Sequence, residues 1–186
     1  IIYVNDSVAQ SGYVKLFKSS GVDVAILETM LDKHFLPYFE MRTSRKYTFQ
    51  RVDSDVAKHL IDDSAASNII VDANDQKTSR EKIEALFKKH LGEDKVALRI
   101  ERLKNATLPG LLVQSEEQRR LLEMAKMGYF GGFNPSENDP KPTLVVNENC
   151  PAIKNLLALA KSSNKDEDVK LVVDQIYDLA TIQHGG

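Results

Sequence analysis

The residues best suited to chemistry in this chain are four histidines and one cysteine. The histidines at positions 34, 59, 90 and 184 are widely separated, and none has a metal-ligand spacing with Cys150. His90 lies on the apolar face of a predicted helix, where we expect a packed core residue. Cys150 precedes a proline at a predicted helix start, where a reactive thiol is conceivable, although we favour a small packed residue. These residues predict no metal site and no catalytic nucleophile.

Three other patterns with chemical uses are incomplete. The glycines at 128, 131 and 132 surround two aromatic residues, but no Lys-Ser or Lys-Thr pair follows, so they do not form a phosphate-binding loop. The strand–helix–strand pattern that opens the chain lacks the G-x-G-x-x-G turn of dinucleotide-binding folds. Asp53 and Asp55 could act as a carboxylate pair, but we favour a solvated loop. The sequence therefore predicts no catalytic residue and no cofactor-binding residue.

One segment has the composition of a binding surface. It begins with a polar helix start, in which Ser115 and Gln118 form a predicted capping box. Closely spaced apolar residues follow, namely Leu121, Leu122, Met124, Met127, Tyr129, Phe130 and Phe133. Because methionine side chains re-pack easily against varied partners, this segment is either an adaptable apolar binding surface or ordinary core packing.

The overall composition excludes several classes of partner. Lys and Arg number 25 and Asp and Glu 27, so a formal net charge of −2 provides no global attraction to nucleic acid or to an anionic membrane. No apolar run approaches the roughly 20 residues of a membrane-spanning helix. A single cysteine allows no internal disulfide, which suits a cytoplasmic protein. Because the chain starts abruptly on a strand-like stretch, we expect it to be part of a longer protein.

The first third of the chain predicts a small α/β layer. Ile1–Val4 reads as a buried strand, and Val22–Leu27 is a second apolar, β-branched run that predicts another strand. A helix that ends near Gly21 lies between them, an arrangement that favours parallel strands. A second helix is predicted within Leu31–Met41, and it either begins near Pro37 or is kinked there. A third strand is predicted at 47–52. We place this layer in a first domain, residues 1–61, followed by a polar linker at 62–77.

Residues 78–186 predict a second, α+β domain that ends in a pair of amphipathic helices. Thr78 and Glu81 form a capping box for a helix that ends at Gly92. Strands at 96–100 and 108–114 are predicted to pair as an antiparallel hairpin, and a third strand begins at Thr143. Pro151 opens the next helix. The last helix has an apolar stripe that faces either the core or a partner: Val169, Val172, Val173, Ile176, Leu179 and Ala180.

The order of these pieces resembles the heat-shock protein 90 chaperone family, and most closely its bacterial HtpG type. The stretches similar to the end of the family's middle domain are Ile2–Val4, Tyr13–Phe17, Gly21–Val24 and Phe49–Val56. Those similar to its C-terminal domain are Phe87–Gly92, Lys95–Val96, Arg102–Leu103 and Val145–Pro151. The resemblance lies in the order of these stretches and covers essentially the whole chain.

The resemblance implies part of an ATP-driven, homodimeric, cytoplasmic chaperone that binds unfolded or partly folded client proteins. In that family ATP and Mg²⁺ are bound by an N-terminal domain that has no counterpart here, so we expect neither ATP hydrolysis nor a cofactor. The segment from Leu121 to Phe133 matches the family's client-contacting segment. The stripe at 169–180 matches one helix of the family's dimer interface. The next helix of that interface would begin beyond Gly186, so whether this chain dimerises on its own stays open.

Two other functions stay open from the sequence. A small α/β nucleotide-binding or enzyme domain, centred on the opening strand–helix–strand unit, would bind a nucleotide or cofactor tightly. A purely structural dimerisation module would have no affinity for client proteins. Binding of an unfolded protein and of ATP therefore distinguishes the three possibilities.

Overall fold

The structure is a computed structural model that describes residues 1–54, 60–62, 78–92, 96–116, 119–121, 124, 141–162 and 165–184. The chain divides into two compact units. The first consists of Ile1–Asp55 and Gln114–Pro140, and the second of Val56–Val113 and Lys141–His184. Helices and small sheets occur in the described residues, which confirms the predicted α+β class. Residues 63–77 of the predicted linker lie outside the described residues, so the predicted domain limits stay a prediction.

The first unit contains a three-stranded parallel sheet. β1 (Ile2–Val4) lies in the middle, with β2 (Ala25–Ile26) on one side and β3 (Gln50–Arg51) on the other. Helix α1 (Ser11–Ser19) connects β1 to β2, so the predicted strand–helix–strand unit with parallel strands is confirmed. All of β1 is buried, as expected for the central strand of a parallel sheet. α1 packs its predicted apolar face inward through Tyr13, Leu16 and Phe17.

Helix α2 (Met30–Arg42) runs through Pro37 without ending there. The predicted alternative of a helix that begins near this proline is therefore wrong. The start is fixed earlier by a capping box: the Thr29 hydroxyl accepts a hydrogen bond from the backbone N–H of Asp32, and the Asp32 carboxylate accepts one from the backbone N–H of Thr29. Leu36 is the buried residue of this helix, so most of its apolar side chains do not reach a core.

The second unit contains a mixed three-stranded sheet. β6 (Thr143–Asn147) is central and pairs in parallel with β4 (Ala97–Glu101) and antiparallel with β5 (Gly110–Val113). The predicted direct pairing of the strands at 96–100 and 108–114 is therefore wrong. The reason is that β6, which comes about 30 residues later in the chain, pairs with both strands and separates them; its residues Leu144 to Val146 are completely buried, which suits a central strand.

Three helices pack their apolar residues against this sheet: α3 (Ser79–Leu91), α4 (Pro151–Leu159) and α5 (Asp166–His184). The predicted capping box of α3 and the predicted proline in the first turn of α4 are both confirmed. α5 approaches β5 closely at Gly110, where an added Cβ would lie 3.4 Å from Ile176 and 3.2 Å from the carbonyl oxygen of Val145. A side chain at this point of the sheet would therefore be tightly packed and would require its neighbours to shift by a few tenths of an ångström.

One buried amide organises the loop that joins β4 to β5. The side chain of Asn147 is fully buried at the end of the central strand. Its Nδ2 donates to the carbonyl oxygens of Asn105 and Leu108, both at 2.8 Å. Its Oδ1 accepts from the backbone N–H groups of Leu103 at 3.0 Å and Asn149 at 3.1 Å. This side chain therefore satisfies backbone groups that the turn itself leaves unpaired.

Replacing this amide by an apolar side chain of similar size tests its role. In Asn147→Leu, two backbone N–H groups and two carbonyls lose their partner in a buried site, so we expect the free energy of unfolding to fall by about 3 kcal/mol or more. Urea denaturation followed by circular dichroism measures the change. Asn155→Leu is the matched control, because Asn155 is exposed on α4 and its loss should change stability by less than about 0.5 kcal/mol. Equal effects of the two substitutions would contradict the assigned role.

Candidate functional site

The described apolar residues of the predicted binding segment are exposed. Leu121 and Met124 are helical and expose 54% and 48% of their surface. The other predicted residues lie outside the described part of the chain: Leu122, Met127, Tyr129, Phe130 and Phe133. Two apolar side chains of the segment are therefore accessible to a partner, and the binding role of the whole segment stays a prediction.

The start of this segment is held in the first unit by Arg120. Its Nη1 and Nη2 donate to the two carboxylate oxygens of Glu40 on α2, at 2.9 and 3.0 Å. Its Nε donates to Glu116 at 2.8 Å, and Nη2 also donates to the carbonyl oxygen of Phe49 at 3.0 Å. Such a bidentate contact fixes the orientation of the guanidinium as well as its position. The segment is thereby joined to residues that lie 71 and 80 positions earlier in the chain.

Arg119 makes a second and more deeply buried connection. The residue is only 4% exposed. Its Nη2 donates to the Tyr3 hydroxyl at 2.9 Å, and Nη2 and Nε donate to Glu116 at 2.5 and 3.1 Å. Glu116 therefore accepts hydrogen bonds from both arginines, and the central strand β1 takes part in the network through Tyr3.

The same two glutamates cover the outer edge of β3. The backbone N–H of Phe49 donates to Glu40 at 2.7 Å, and the backbone N–H of Arg51 donates to Glu116 at 3.3 Å. With the Phe49 carbonyl bound by Arg120, these side chains occupy backbone groups that a neighbouring strand would otherwise use. Covering an edge strand with charged side chains is a known protection against unwanted pairing. We call these four side chains, Glu40, Glu116, Arg119 and Arg120, the edge network.

The charges of the edge network shift the pKa of its carboxyl groups. Hydrogen bonds from Arg120 hold the pKa of Glu40 below its usual value, against an opposing effect of burial. Burial alone would raise the pKa of Glu116, but the hydrogen bonds and charges of Arg119 and Arg120 outweigh it, so this pKa is also lowered. The pKa of Arg120 is raised, chiefly by its hydrogen bond to Glu40. Both carboxyl groups are therefore ionised at neutral pH.

A second exposed apolar surface, which the sequence analysis missed, lies along α2. We call it the α2 surface, and it consists of Met30, Leu31, Phe35, Tyr38 and Met41. Each of these side chains exposes about half of its area or more, from 49% to 80%. The sequence contains a signal for this surface, because Leu31, Phe35 and Tyr38 are spaced three or four residues apart, as on one face of a helix. It was overlooked because Pro37 made a continuous helix look unfavourable.

A small cavity opens beside this helix within the first unit. It has a volume of about 240 Å³ and is lined by the apolar side chains of Leu27, Leu36, Pro37 and Met124, with Arg119 and other polar groups around them. Pockets for drug-sized ligands usually measure about 300–1,000 Å³. The cavity is therefore suited to one apolar side chain of a partner, and it is small for a nucleotide.

The predicted dimer-interface residues lie mainly in the core of the second unit. Buried residues among them are Val169, Val173, Ile176 and Ala180, and Val172 packs against the same cluster. Leu179 is the exception, with 52% of its surface exposed. On the same side of α5 as Leu179, Leu171 and Ile182 are also exposed. A dimer role for the predicted stripe stays a prediction, and its residues already have an intrachain packing role.

The sequence candidates for chemistry do not come together in the described residues. His90 has a buried side chain whose Nε2 lies 3.6 Å from the Asp166 carboxylate, and Cys150 is 3% exposed. The expected solvated loop at Asp53 is wrong, because this residue is buried and its carboxylate accepts two hydrogen bonds from Arg51. No group of three His, Cys, Asp or Glu side chains that could hold a metal ion occurs among the described residues.

The comparison with curated proteins bears on the family. The chain is 30% identical over 164 residues to a chaperone protein HtpG of Bacteroides fragilis strain 638R, a match that covers 84% of this chain and 23% of the relative. The similarity supports an HtpG-like relationship. HtpG proteins of two other strains of this species are 29% identical over the same length. The chain thus spans about a quarter of the length of the curated relatives it matches.

Neither a family signature in this chain nor a membrane-spanning helix in its described part is found. No protein-family model matches the chain. Among the described residues, no helix combines the length and the apolar character that crossing a bilayer requires. The HtpG-like relationship therefore rests on the sequence matches.

The edge network predicts a pH dependence of stability in the first unit. The folded-state pKa values of Glu40 and Glu116 lie below their ordinary value of 4.5, so their contribution is complete above about that pH and is lost as the pH falls through the lower folded values. Arg120→Gln should lower the free energy of unfolding at pH 7 by about 2 kcal/mol, between the effects of exposed and buried ion pairs.

Thermal unfolding between pH 7 and pH 3 measures both effects. The wild-type chain should lose more stability than Arg120→Gln below about pH 4.5, because the variant has already lost much of the pairing. Arg42→Gln is the matched control, since Arg42 is exposed in the last turn of α2 and should leave the profile unchanged. Identical pH profiles for wild type and Arg120→Gln would rule out the network as a source of stability.

Proposed function

We propose that this chain is a client-binding part of an HtpG-like chaperone, and that it binds exposed apolar segments of unfolded or partly folded proteins without converting them chemically. The observation that carries the proposal is the α2 surface. Five large apolar side chains on one helix are exposed in the first unit. Exposed apolar patches of this kind mark sites of interaction with other proteins. The names of the matched relatives support a chaperone role at family level.

The residue types of the α2 surface suit partners of varied sequence. Met30 and Met41 have unbranched side chains that adapt to different shapes, and Phe35 and Tyr38 present large rigid faces. Leu121 and Met124 of the other exposed segment have the same character. Neither set offers a group that would select one particular sequence. The surface therefore favours apolar character in a client over a defined motif.

The affinity for a client is limited by the apolar area that each side chain exposes in the free chain, because only this area can be buried on binding. Full burial of a large apolar side chain is worth about 1.5–3 kcal/mol, and association itself costs at least about 4 kcal/mol. Several of the five side chains must therefore be covered together for measurable binding. Because the five side chains expose only 49–80% of their area, we expect weak affinity, which allows a client to be released again.

The other properties of the parent family enter as part of the same proposal. ATP and Mg²⁺ would be bound by another part of a longer protein, and this chain would carry no cofactor and no catalytic residue. The site of action would be the cytoplasm. The alternative, a nucleotide-binding α/β domain centred on β1, α1 and β2, makes the opposite prediction for ATP.

Polar substitutions on the α2 surface test client binding. In the double variant Leu31→Gln and Tyr38→Gln, affinity for a permanently unfolded, carboxymethylated protein should fall about tenfold, since two exposed side chains lose roughly 1.4 kcal/mol of burial between them. Fluorescence anisotropy of the labelled unfolded protein measures the dissociation constant. Glutamine is a good helix former, so α2 should keep its structure.

The control for this experiment is Val8→Gln. Val8 is 83% exposed in the turn before α1 and is not one of the five residues of the α2 surface, so the variant loses one exposed apolar side chain outside that surface. Equal losses in the control and the double variant would overturn the assignment to the α2 surface. If the NMR amide signals of residues 1–27 shift when ATP is added, and no signals shift when the unfolded protein is added, the nucleotide-binding alternative is favoured.

A second candidate function, homodimerisation, is favoured by the outer face of α5. Because Val169, Val173 and Ile176 are already buried in the chain's own core, the dimer contact we propose uses the exposed side chains. These are Leu171, Leu179 and Ile182, which lie within about 80° of one another around the helix. An apolar stripe of this width is typical of a helix that packs against another helix.

Charge substitutions on this face test the dimer. Leu171→Glu with Ile182→Glu should shift the chain from dimer to monomer, because two carboxylates would be buried at a symmetric contact. Sedimentation velocity across a range of concentrations gives the dissociation constant. Ala158→Glu, exposed on α4, is the control and should leave association unchanged. A wild-type chain that stays monomeric at 100-fold the concentration of the binding assay would exclude dimerisation by this chain alone.

A further inference from the structure

The oxidisable sulfur atoms of this chain differ sharply in access to solvent. The sequence contains one cysteine and four methionines. Cys150 is 3% exposed, whereas Met30 and Met41 are 77% and 69% exposed and Met124 is 48% exposed. Among the described residues, the methionine thioethers are therefore accessible to a small oxidant in solution, whereas the Cys150 thiol is shielded.

The two most exposed methionines share one face of α2. Met30 and Met41 are eleven residues apart, which is about three turns of helix, so their side chains leave the helix in nearly the same direction. Tyr38 lies between them and belongs to the same exposed surface. Both thioethers are therefore part of the α2 surface, one at each end of it.

We propose that Met30 and Met41 are modification sites, and that their oxidation by a hydroperoxide switches off binding at the α2 surface. This inference rests on the proposed function. The sulfur lone pair attacks one oxygen of the peroxide, a sulfur–oxygen bond forms and the oxygen–oxygen bond breaks. The thioether is oxidised by two electrons to the sulfoxide. The departing hydroxide takes up the proton of the transferred oxygen, so hydrogen peroxide is reduced to one molecule of water.

The physical effect follows from the polarity of the product. A sulfoxide oxygen is a strong hydrogen-bond acceptor, and an apolar client segment offers it no donor when it covers the surface. Burying such a group without a partner weakens binding by about fivefold or more for each site. The fold itself should not change, because neither methionine belongs to the buried residues of the first unit.

The experiment compares the complete 186-residue chain before and after treatment with hydrogen peroxide. The probe is the same carboxymethylated unfolded protein, and peptide mass spectrometry measures sulfoxide occupancy at each methionine. Oxidation of Met30 and Met41 should weaken binding by about 25-fold when both sites are modified. Thermal unfolding should be unaffected, and a methionine sulfoxide reductase should restore the original affinity.

The double variant Met30→Leu and Met41→Leu separates the outcomes. Leucine keeps the apolar volume and cannot be oxidised, so the affinity of the variant, whatever its starting value, should be the same before and after peroxide, whereas that of the wild type falls. If peroxide weakens the double variant as much as the wild type, the effect arises elsewhere, for instance at Met124, and the inference is wrong. Unchanged binding by a wild-type chain with both sulfoxides formed would also overturn it, while leaving the proposed function intact. No binding by the reduced chain would refute the proposed function, and the inference with it.

Discussion

The arrangement of the first unit depends on arginine side chains whose ion pairs and hydrogen bonds connect parts of the chain far apart in sequence. Arg120 contacts Glu40 across 80 positions, and Arg119 contacts Tyr3 across 116. Removing such charges from water is costly, and the gain from pairing outweighs this cost only when each donor and acceptor is used. Here Glu116 receives hydrogen bonds from both arginines and from the backbone of Arg51. The edge network is thus also the means by which the short strand β3 keeps its outer edge covered.

Local patterns in the sequence were reliable where the structure depends on neighbouring residues. The Thr78–Glu81 capping box, the proline at the start of α4 and the parallel strands around α1 all involve contacts within a few residues or within one connection. The predicted pairing of β4 with β5 is wrong because strand order depends on segments far apart in the sequence. The strand that lies between them, β6, comes about 30 residues further along the chain than β5.

In the candidate site, too, features with a local sequence signal were predicted and features that depend on distant residues were not. The exposure of Leu121 and Met124 agrees with a surface expected from composition, whereas the α2 surface was overlooked. Its residues have helical spacing, but Pro37 favours a break in the helix. The capping box at Thr29 nevertheless begins the helix before this proline. The edge network could not have been foreseen, since a pairing of Glu40 with Arg120 leaves no periodic signal. Charges on a surface and charges that join distant segments look alike in a single sequence.

The division of the chain has a consequence for how the first unit forms during synthesis. Its two segments, Ile1–Asp55 and Gln114–Pro140, are separated by the first segment of the second unit, Val56–Val113. A ribosome adds about 5–20 residues each second, so several seconds pass between the appearance of β3 and that of Arg120. During this interval the backbone of β3 lacks the side chains that later cover it, and an uncovered strand can pair with another chain. A nascent chain of this protein would therefore itself be vulnerable to aggregation until residue 120 has emerged.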